Sequence, residues 1–374
     1  MGKKKIFISA GELSGDVHGG NLVTALTGLD ASVRITAIGG DNMAKAGAQL
    51  LQHIDKIAVM GLTEIIKFLP RIYRMWLDTK KHLKTNRPDL IILIDYPGFN
   101  LKLAKYAAKI NIPVVYYISP KIWAWKEYRI KTIRKCVDKM ICILPFEEAW
   151  YEKRGVQAFF VGNPLIDQYT PVTCPQLSEK KIKNPVIGLF PGSRAQEINS
   201  LLPDMIMAVE QIRYNYPDTI AKIAMAPGFD FTKYQNKYTK IWLKWEEGRN
   251  SEIMKEADIL IMASGTAVLE ATVHNTPAIV TYKVSKITYW LAKKYVNLKY
   301  VSLPNIIAKE EVVPELIQNE SNSDNITKKA LQILKKPEKR RRMKEKMAGI
   351  TKQLGTKGVA KRAAKIILDT IEQK

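Results

Sequence analysis

The sequence predicts an α/β protein with two doubly wound domains that face each other across a cleft. Short apolar runs rich in β-branched residues recur in both halves of the chain, with helical patterns between them. This alternation is typical of βα units on a parallel sheet. A proline-bearing stretch without periodicity, 162–184, separates the halves. The 374 residues are enough for two domains.

The predicted elements follow in chain order. We expect strands at 5–10, 33–38, 90–95, 113–118, 139–144 and 158–161 in the first half, and at 186–190, 222–226, 259–263 and 278–282 in the second. The domain boundaries that follow are a first domain at 1–165, a linker at 166–184, a second domain at 185–335 and basic C-terminal helices at 336–374. Such folds bind ligands outside the carboxyl ends of their strands. Motifs at strand ends therefore matter most.

The last 40 residues contain 14 Lys or Arg and 4 acidic residues. Their apolar positions have the spacing of one helix face. Either a solvated basic helix or a helix packed against a domain fits this pattern. The apolar positions are Ile350, Leu354, Ala360, Ala364, Ile367, Leu368 and Ile371.

A second amphipathic segment, 59–87, interrupts the βα rhythm. Lys67, Arg71 and Arg74 fall on a different face from its apolar stripe, and Pro70 is expected to end one helix or open the next. An interfacial helix on anionic lipid and an ordinary core-facing helix both fit the pattern. The stripe consists of Leu62, Ile65, Ile66, Leu69, Ile72, Tyr73 and Trp76.

Composition restricts the class of protein. Apolar residues make up 46% of the chain and charged residues 25%, which is typical of a folded globular protein. The formal net charge of +23 predicts an anionic partner. Three cysteines without CxxC spacing argue against a disulfide framework or a zinc ribbon and favour the cytoplasm. We see neither a signal peptide nor a run long enough to span a bilayer, so membrane contact would be peripheral.

Two motifs of the first half carry candidate chemistry. A glycine-rich turn at 11–20 follows the first strand and matches neither dinucleotide nor P-loop spacing. Asp16 in this turn either serves function or caps a helix. Asp95 ends the apolar strand 90–94, where it is either a general base or a cap. Trp123 belongs to a cluster of two Trp and two Lys after the next strand, which suits either a sugar face or a core.

The second half offers an anion site. Ser193 and Arg194 follow its first strand, and an Arg fork suits phosphate oxygens. The small-residue turn Ser264-Gly265-Thr266 opens a helix whose N–H groups can hold phosphate. Glu270, one turn further along, is placed to accept from ribose hydroxyls. Asn305 stands in an otherwise apolar bend and is a weak candidate alone.

Together these motifs resemble the lipid-A-disaccharide synthase family. The resemblance rests on SAGELSGDVHGG, IDYPGFN, YYISPKIWAWKEYRI, FVGNPL, LFPGSRAQEI, ASGTAVLEATVHNTPAIV and SLPNIIA, in this order. It implies a GT-B type glycosyltransferase with two Rossmann-like domains. It also implies transfer of 2,3-diacylglucosamine from UDP-2,3-diacylglucosamine to 2,3-diacylglucosamine 1-phosphate (lipid X), with inversion. The products are a β-1,6-linked disaccharide phosphate, an intermediate of lipid A and lipopolysaccharide biosynthesis, and UDP.

The family assigns roles to these residues. UDP-sugar binding falls to Ser193, Arg194, Ser264, Gly265, Thr266, Glu270 and Asn305. Asp95 is the expected general base, and Glu12, Asp16 and His18 are competing candidates or acceptor ligands. Ser14, Gly15, Trp123, Lys67, Arg71 and Arg74 belong to the acceptor or membrane side. The resemblance implies neither a metal nor another cofactor.

The family also suggests partners and location. We expect peripheral association with an anionic membrane, on the cytoplasmic face of the inner membrane, and a monomer or a homodimer. The C-terminal helices would pack back on the first domain or be exchanged in a dimer. Leu13, Gly98 and Lys121 depart from the family pattern, and the first two put acyl-chain preference in doubt.

Two other functions remain as alternatives. Another UDP-sugar-dependent transferase of this fold could act on a different lipid-linked acceptor, because fold and UDP site alone do not fix the acceptor. A nucleic-acid-binding protein would explain the charge. However, the sequence lacks recognisable nucleic-acid-binding motifs, so we expect no nucleic-acid partner.

Overall fold

The computed structural model describes residues 3–56, 65–170, 172, 181–285, 289–290 and 298–373, with 56 and 65–69 described by backbone alone. These residues form two compact units. The first unit is Met1–Asp167 together with Leu354–Lys374, and the second is Gln168–Gln353. Much of the predicted linker, at 171 and 173–180, lies outside the described residues.

The first unit is built on a parallel sheet of order β3-β2-β1-β4-β5-β6-β7. Every side chain of the central strand β4 is buried, because helices cover both faces of the sheet. The strands are β1 Lys5–Ala10, β2 Arg34–Gly39, β3 Gln49–His53, β4 Leu90–Ile94, β5 Val114–Tyr117, β6 Lys139–Cys142 and β7 Ala158–Phe160.

Helices of the first unit cover the sheet on two sides. They are α1 Leu13–Leu29, α2 Asp41–Lys45, α3 Ile65–Asn86, α4 Pro97–Lys109, α5 Ile130–Cys136, α6 Glu147–Glu152, α7 Leu165–Gln168, which reaches the unit boundary, and the C-terminal α15 Val359–Glu372. One core cluster joins α1 and α15 to the sheet, and the other joins α3, α4 and α5 to its opposite face.

The second unit repeats the architecture with a parallel sheet of order β10-β9-β8-β11-β12-β13. Its strands are β8 Val186–Phe190, β9 Ile220–Met225, β10 Leu243–Glu247, β11 Ile259–Ala263, β12 Ala278–Tyr282 and β13 Glu315–Ile317. Its helices among the described residues are α8 Ala195–Arg213, α9 Thr232–Lys237, α10 Asn250–Glu256, α11 Thr266–Val273, α12 Leu303–Ala308, α13 Ser323–Lys335 and α14 Pro337–Gln353.

Three strands, β3, β10 and β13, were not predicted from the sequence, and all three lie at sheet edges. An edge strand has one neighbour and is half exposed, so its sequence need not be apolar. Their sequences, QLLQH, LKWEE and ELI, are short and mix charged or polar residues with apolar ones. Hydrophobic runs therefore located the inner strands but not these three.

The prediction that Pro70 ends or opens a helix was wrong. Helix α3 runs continuously through this residue, which lies in its second turn. Proline near a helix start removes few intrahelical hydrogen bonds, so packing further along can hold the helix together. Met75 is buried, and Ile72 and Trp76 pack against the core. The predicted segment at 59–64 lies outside the described residues.

The basic C-terminal segment is divided between the two units. Helix α14 belongs to the second unit, whereas α15 packs along α1 in the first. Ile350 and Leu354 are buried, and Ala364, Ile367 and Leu368 join the core of the first unit. The apolar face of this segment therefore lies against protein, and most of its described lysines are exposed.

Candidate active site

Each sheet has one place where the strand order reverses. In the first unit this switch point lies between β1 and β4, and in the second it lies between β8 and β11. Loops leaving adjacent strands at a switch point turn to opposite faces of the sheet and leave a crevice for ligand. The glycine-rich turn and Asp95 follow β1 and β4, and the Ser193 and Ser264 turns follow β8 and β11. The predicted motifs therefore flank both switch points.

The loop after β4 has an unusual backbone. Asp95 and Tyr96 are both left-handed, with φ of +43° and +44°. Non-glycine residues rarely adopt this conformation, and it concentrates at functional sites. The Tyr96 ring lies so close to Gly11 that a Cβ there would be 2.2 Å from it. Gly11 thus permits the loops after β1 and β4 to meet.

The surroundings of Asp95 set its acidity. Burial is the main cause that raises the pKa of this carboxyl from 3.8 to about 6, and the negative charge of Glu12 adds to the rise. Lys121, from the loop after β5, opposes it. A carboxylate of this pKa is still ionised at neutral pH and is a stronger base than an ordinary Asp.

The three competing residues sit in different environments. Glu12 is exposed at the start of α1. Asp16 is buried, and its carboxylate accepts hydrogen bonds from the N–H groups of Gly40, Asn42 and Met43 and from the Asn42 amide. These contacts cap the start of α2 and give Asp16 a structural role.

His18 lies on α1 beyond the glycine turn. Burial lowers the pKa of its imidazole to about 4, so the ring is neutral at pH 7. Its Nδ1 is buried without a hydrogen-bond partner among the described residues. A neutral imidazole can donate a hydrogen bond to phosphate, but with this pKa it is a weaker base than Asp95.

Trp123 is fixed by a residue that the sequence analysis missed. Its indole Nε1 donates to Glu147 at 2.9 Å, and its ring packs edge-on against Phe146. Glu147 is buried and also accepts from the N–H groups of Ile143 and Leu144. Of the other acceptor-side residues, Ser14 is exposed and Gly15 is buried beside Ala10. Nothing in the sequence around Glu147 signals this role.

In the second unit, the loop after β8 presents Ser193 and Arg194 to solvent. Gly192 has φ of +101°, and a Cβ there would lie 2.5 Å from Glu197 Oε2. The Arg194 side chain is 81% exposed, and its Nη1 lies 3.5 Å from Glu197 Oε1. The guanidinium is therefore accessible to an anion, and its contact with Glu197 is long.

The turn after β11 leads into α11. Gly265 and Thr266 are exposed, and Ser264 is anchored by its N–H to the Thr281 carbonyl at 3.1 Å. Burial raises the pKa of Glu270, and a hydrogen bond with the Tyr169 hydroxyl opposes that rise. Glu270 Oε1 is buried without a partner among the described residues. Tyr169 lies in the predicted linker, and no sequence pattern there indicates this contact.

Asn305 differs from the other candidate residues for UDP-sugar binding in its hydrogen bonding. Its side chain is buried, donates to the Val313 carbonyl and to Glu315, and accepts from the N–H groups of Val312 and Val313. These four bonds use the full capacity of the amide. Contact between Asn305 and the UDP-sugar stays a prediction. The observed hydrogen bonds stabilise the loop around Asn305.

Within the described ranges, no three His, Cys, Asp or Glu side chains gather as a metal site. The same residues include no helix that is both long and apolar enough to cross a membrane.

Two doubly wound parallel sheets, each with candidate site loops at its switch point, define a two-domain glycosyltransferase fold of the GT-B type. A crystal structure of UDP-GlcNAc 2-epimerase from Neisseria meningitidis bound to UDP-GlcNAc matches with a TM-score of 0.66 at 14% identity, over 99% of this chain and 100% of that one. A glycotransferase of kitacinnamycin matches with a TM-score of 0.66 at 13% identity, over 99% and 100%. At such identities these structures share the fold alone.

Sequence similarity is more specific. The family model for lipid-A-disaccharide synthetase matches residues 6–369, and the chain belongs to this family. The lipid-A-disaccharide synthase of Myxococcus xanthus is 37% identical over 376 residues, which cover 98% of this chain and 97% of the relative. The protein is therefore a glycosyltransferase of lipid A biosynthesis.

Proposed function

We propose that the enzyme transfers 2,3-diacylglucosamine from UDP-2,3-diacylglucosamine to the 6-hydroxyl of 2,3-diacylglucosamine 1-phosphate. The observation that carries this proposal is Asp95, a half-buried carboxylate of raised pKa at the first switch point. A hydroxyl attacks an anomeric carbon with inversion when a base takes its proton and the leaving group departs from the opposite side. Asp95 is that base.

The second unit holds the donor. Arg194 and Ser193 bind the diphosphate, together with the N–H groups that open α11 after Gly265 and Thr266. Glu270 accepts from the ribose hydroxyls through its unpartnered Oε1. As the glycosidic bond breaks, negative charge grows on the diphosphate, and Arg194 with the helix N-terminus stabilises it.

The acceptor lies on the first unit. Its phosphate is an anion, and Lys121 supplies a cation near Asp95. Its acyl chains are apolar, and Leu13 and Val17 on the first turns of α1 leave apolar surface exposed. His18 donates to the phosphate, and Ser14, Gly15 and Trp123 complete this side.

Membrane association is assigned to the outer face of α3. Tyr73 and Leu77 are exposed there, one turn apart, and Arg74 and Lys81 are exposed beside them. Apolar side chains flanked by cations suit the surface of anionic lipid. The enzyme would thereby meet its acylated substrates at the cytoplasmic face of the inner membrane.

Reversing charge on this face should weaken vesicle binding. Arg74→Glu combined with Lys81→Glu is expected to lower binding to phosphatidylglycerol vesicles about tenfold or more, because each cation near an anionic surface contributes about 1 kcal/mol. Sedimentation with vesicles measures the bound fraction. The control is Lys361→Glu with Lys365→Glu on α15, which changes the net charge equally at two other exposed lysines. Equal losses in both double variants would show that net charge, not α3, governs binding.

Turnover by the purified chain tests the proposed reaction. The assay supplies both acylated substrates in detergent with excess EDTA and follows the disaccharide by mass spectrometry. We expect disaccharide and UDP in equal amounts, and an unchanged rate after EDTA treatment. Tight UDP binding without disaccharide would instead favour the alternative, a UDP-sugar transferase with another lipid-linked acceptor.

A further inference from the structure

The backbone at Asp95 needs an explanation beyond the position of its side chain. Two successive non-glycine residues, Asp95 and Tyr96, are left-handed, a conformation that residues other than glycine adopt only at an energetic cost. A strained conformation persists only where surrounding contacts determine it. The loop itself supplies few contacts to Asp95, whose N–H donates to the Tyr117 carbonyl over a long 3.4 Å.

Buried side chains of the core donate hydrogen bonds to the main-chain carbonyl of Asp95. The Tyr116 hydroxyl donates to this oxygen at 2.5 Å, and the Asn100 amide Nδ2 donates to it at 2.8 Å. Asn100 Nδ2 also lies 3.1 Å from the Ile94 carbonyl. Tyr116 and Asn100 are both completely buried. Two donors therefore fix one peptide group directly after strand β4.

A third buried group orients the amide. Ser9 of β1 donates from its hydroxyl to Asn100 Oδ1 at 2.7 Å, which turns the NH₂ group toward the carbonyls of the loop. Burial raises the pKa of Tyr116 well above its ordinary value, so its hydroxyl keeps its proton and remains a donor. The three side chains come from β1, β5 and α4, the elements around the first switch point.

We infer that Ser9, Asn100 and Tyr116 are positioning residues of the transfer reaction, which fix the Asp95 backbone so that its carboxylate is held ready for the acceptor hydroxyl. This inference rests on the proposed role of Asp95. A catalytic group must be held within a fraction of an ångström, and misplacement by 1 Å can cost about 10²-fold in rate. The network performs this task without touching substrate.

Tyr116→Phe tests the inference with little change in shape. We expect kcat to fall about tenfold, the effect of one lost buried hydrogen bond, while KM and UDP affinity stay unchanged. The acid limb of the pH–rate profile should move to lower pH, because a less confined Asp95 reaches more water. Groups that face Asp95 are Glu12 directly before α1, Lys121 after β5, and Tyr96.

The matched control is Tyr117→Phe. Tyr117 is the next residue of β5, is equally buried, and belongs to the core on the opposite face of the sheet. Its substitution removes the same hydroxyl from the same strand without touching the Asp95 carbonyl. Equal kcat losses in the two variants, or an unmoved acid limb in Tyr116→Phe, would overturn the positioning role.

Asn100→Asp is a stronger variant, because a carboxylate cannot donate to the three carbonyls that Asn100 now serves. It should lose more than tenfold in kcat, and its folding is monitored by its melting temperature. Asp95→Asn separates this inference from the proposed base. Retained turnover in Asp95→Asn refutes the base itself. Lost turnover there, with full turnover in Tyr116→Phe, refutes the network alone.

Discussion

Asp95→Asn should abolish disaccharide formation while leaving UDP affinity unchanged. The amide keeps the size of the carboxyl but cannot accept the proton of the acceptor hydroxyl, and a general base contributes about 10²–10⁴ to the rate. The first unit carries Asp95, whereas the second carries the candidate UDP ligands. Single-turnover rates and UDP titration by calorimetry measure the two quantities separately. Retained turnover would move the base to Glu12 or His18.

The same substitution should stabilise the fold above pH 6. The folded protein binds the Asp95 proton more tightly than the unfolded chain, because burial raises its pKa from 3.8 to about 6. Stability contributed by this group therefore falls as pH rises from about 4 to about 6 and stays lower above that range. Asparagine removes this loss, which is on the order of 3 kcal/mol.

Thermal melts at pH 8 and pH 4 measure this gain in stability. We expect a higher melting temperature for Asp95→Asn at pH 8 and no gain at pH 4. Asp369→Asn, an exposed carboxyl of α15 in the same unit, serves as the control and should change neither. A variant that is more stable but inactive is the result expected when the substituted residue serves catalysis. Equal melting temperatures of Asp95→Asn and the unsubstituted protein at pH 8 would contradict a raised pKa of the half-buried Asp95.

Arg194→Ala has the second large expected effect. Loss of charge-assisted hydrogen bonds to the diphosphate should weaken UDP binding about 10- to 100-fold. The value of kcat should fall as well, because the same guanidinium stabilises the leaving group. Arg194→Lys should restore the charge but not the planar fork, and so only part of the affinity. UDP titration and steady-state kinetics give both numbers.

Arg249→Ala is a closely matched control. Arg249, like Arg194, precedes a helix after a strand of the second sheet, and it too is paired with a glutamate. It follows the edge strand β10, whereas Arg194 follows β8 at the switch point. Unchanged UDP affinity in Arg249→Ala, with a loss in Arg194→Ala, assigns the effect to the switch point. Full affinity in Arg194→Ala would show that the diphosphate binds elsewhere.

The inner strands and the motifs at their ends were predictable from the sequence. Strands β1, β4, β8 and β11 lie inside their sheets and are covered on both faces, so their sequences are almost wholly apolar. The residues that end such runs must lie at a carboxyl edge of a sheet. Asp95, Ser193 and Ser264 were found for this reason.

The roles of Asp16 and Pro70 were not predictable in the same way. Asp16 stands in a glycine-rich turn that predicts ligand binding, yet its carboxylate caps α2, which begins 25 residues later in the chain. Pro70 breaks an isolated helix, yet α3 continues through it. In both cases contacts that are distant in sequence outweigh a local preference.

The sequence by itself determined the two doubly wound sheets, the switch-point motifs and the family. Burial of apolar strands and the backbone needs of glycine and small-residue turns are local properties, written in consecutive residues. Only the tertiary structure decided the raised pKa of Asp95 and the network that holds its carbonyl. Desolvation and buried hydrogen bonds depend on which elements pack together, and Ser9, Asp95, Asn100 and Tyr116 meet only when β1, β4, α4 and β5 assemble.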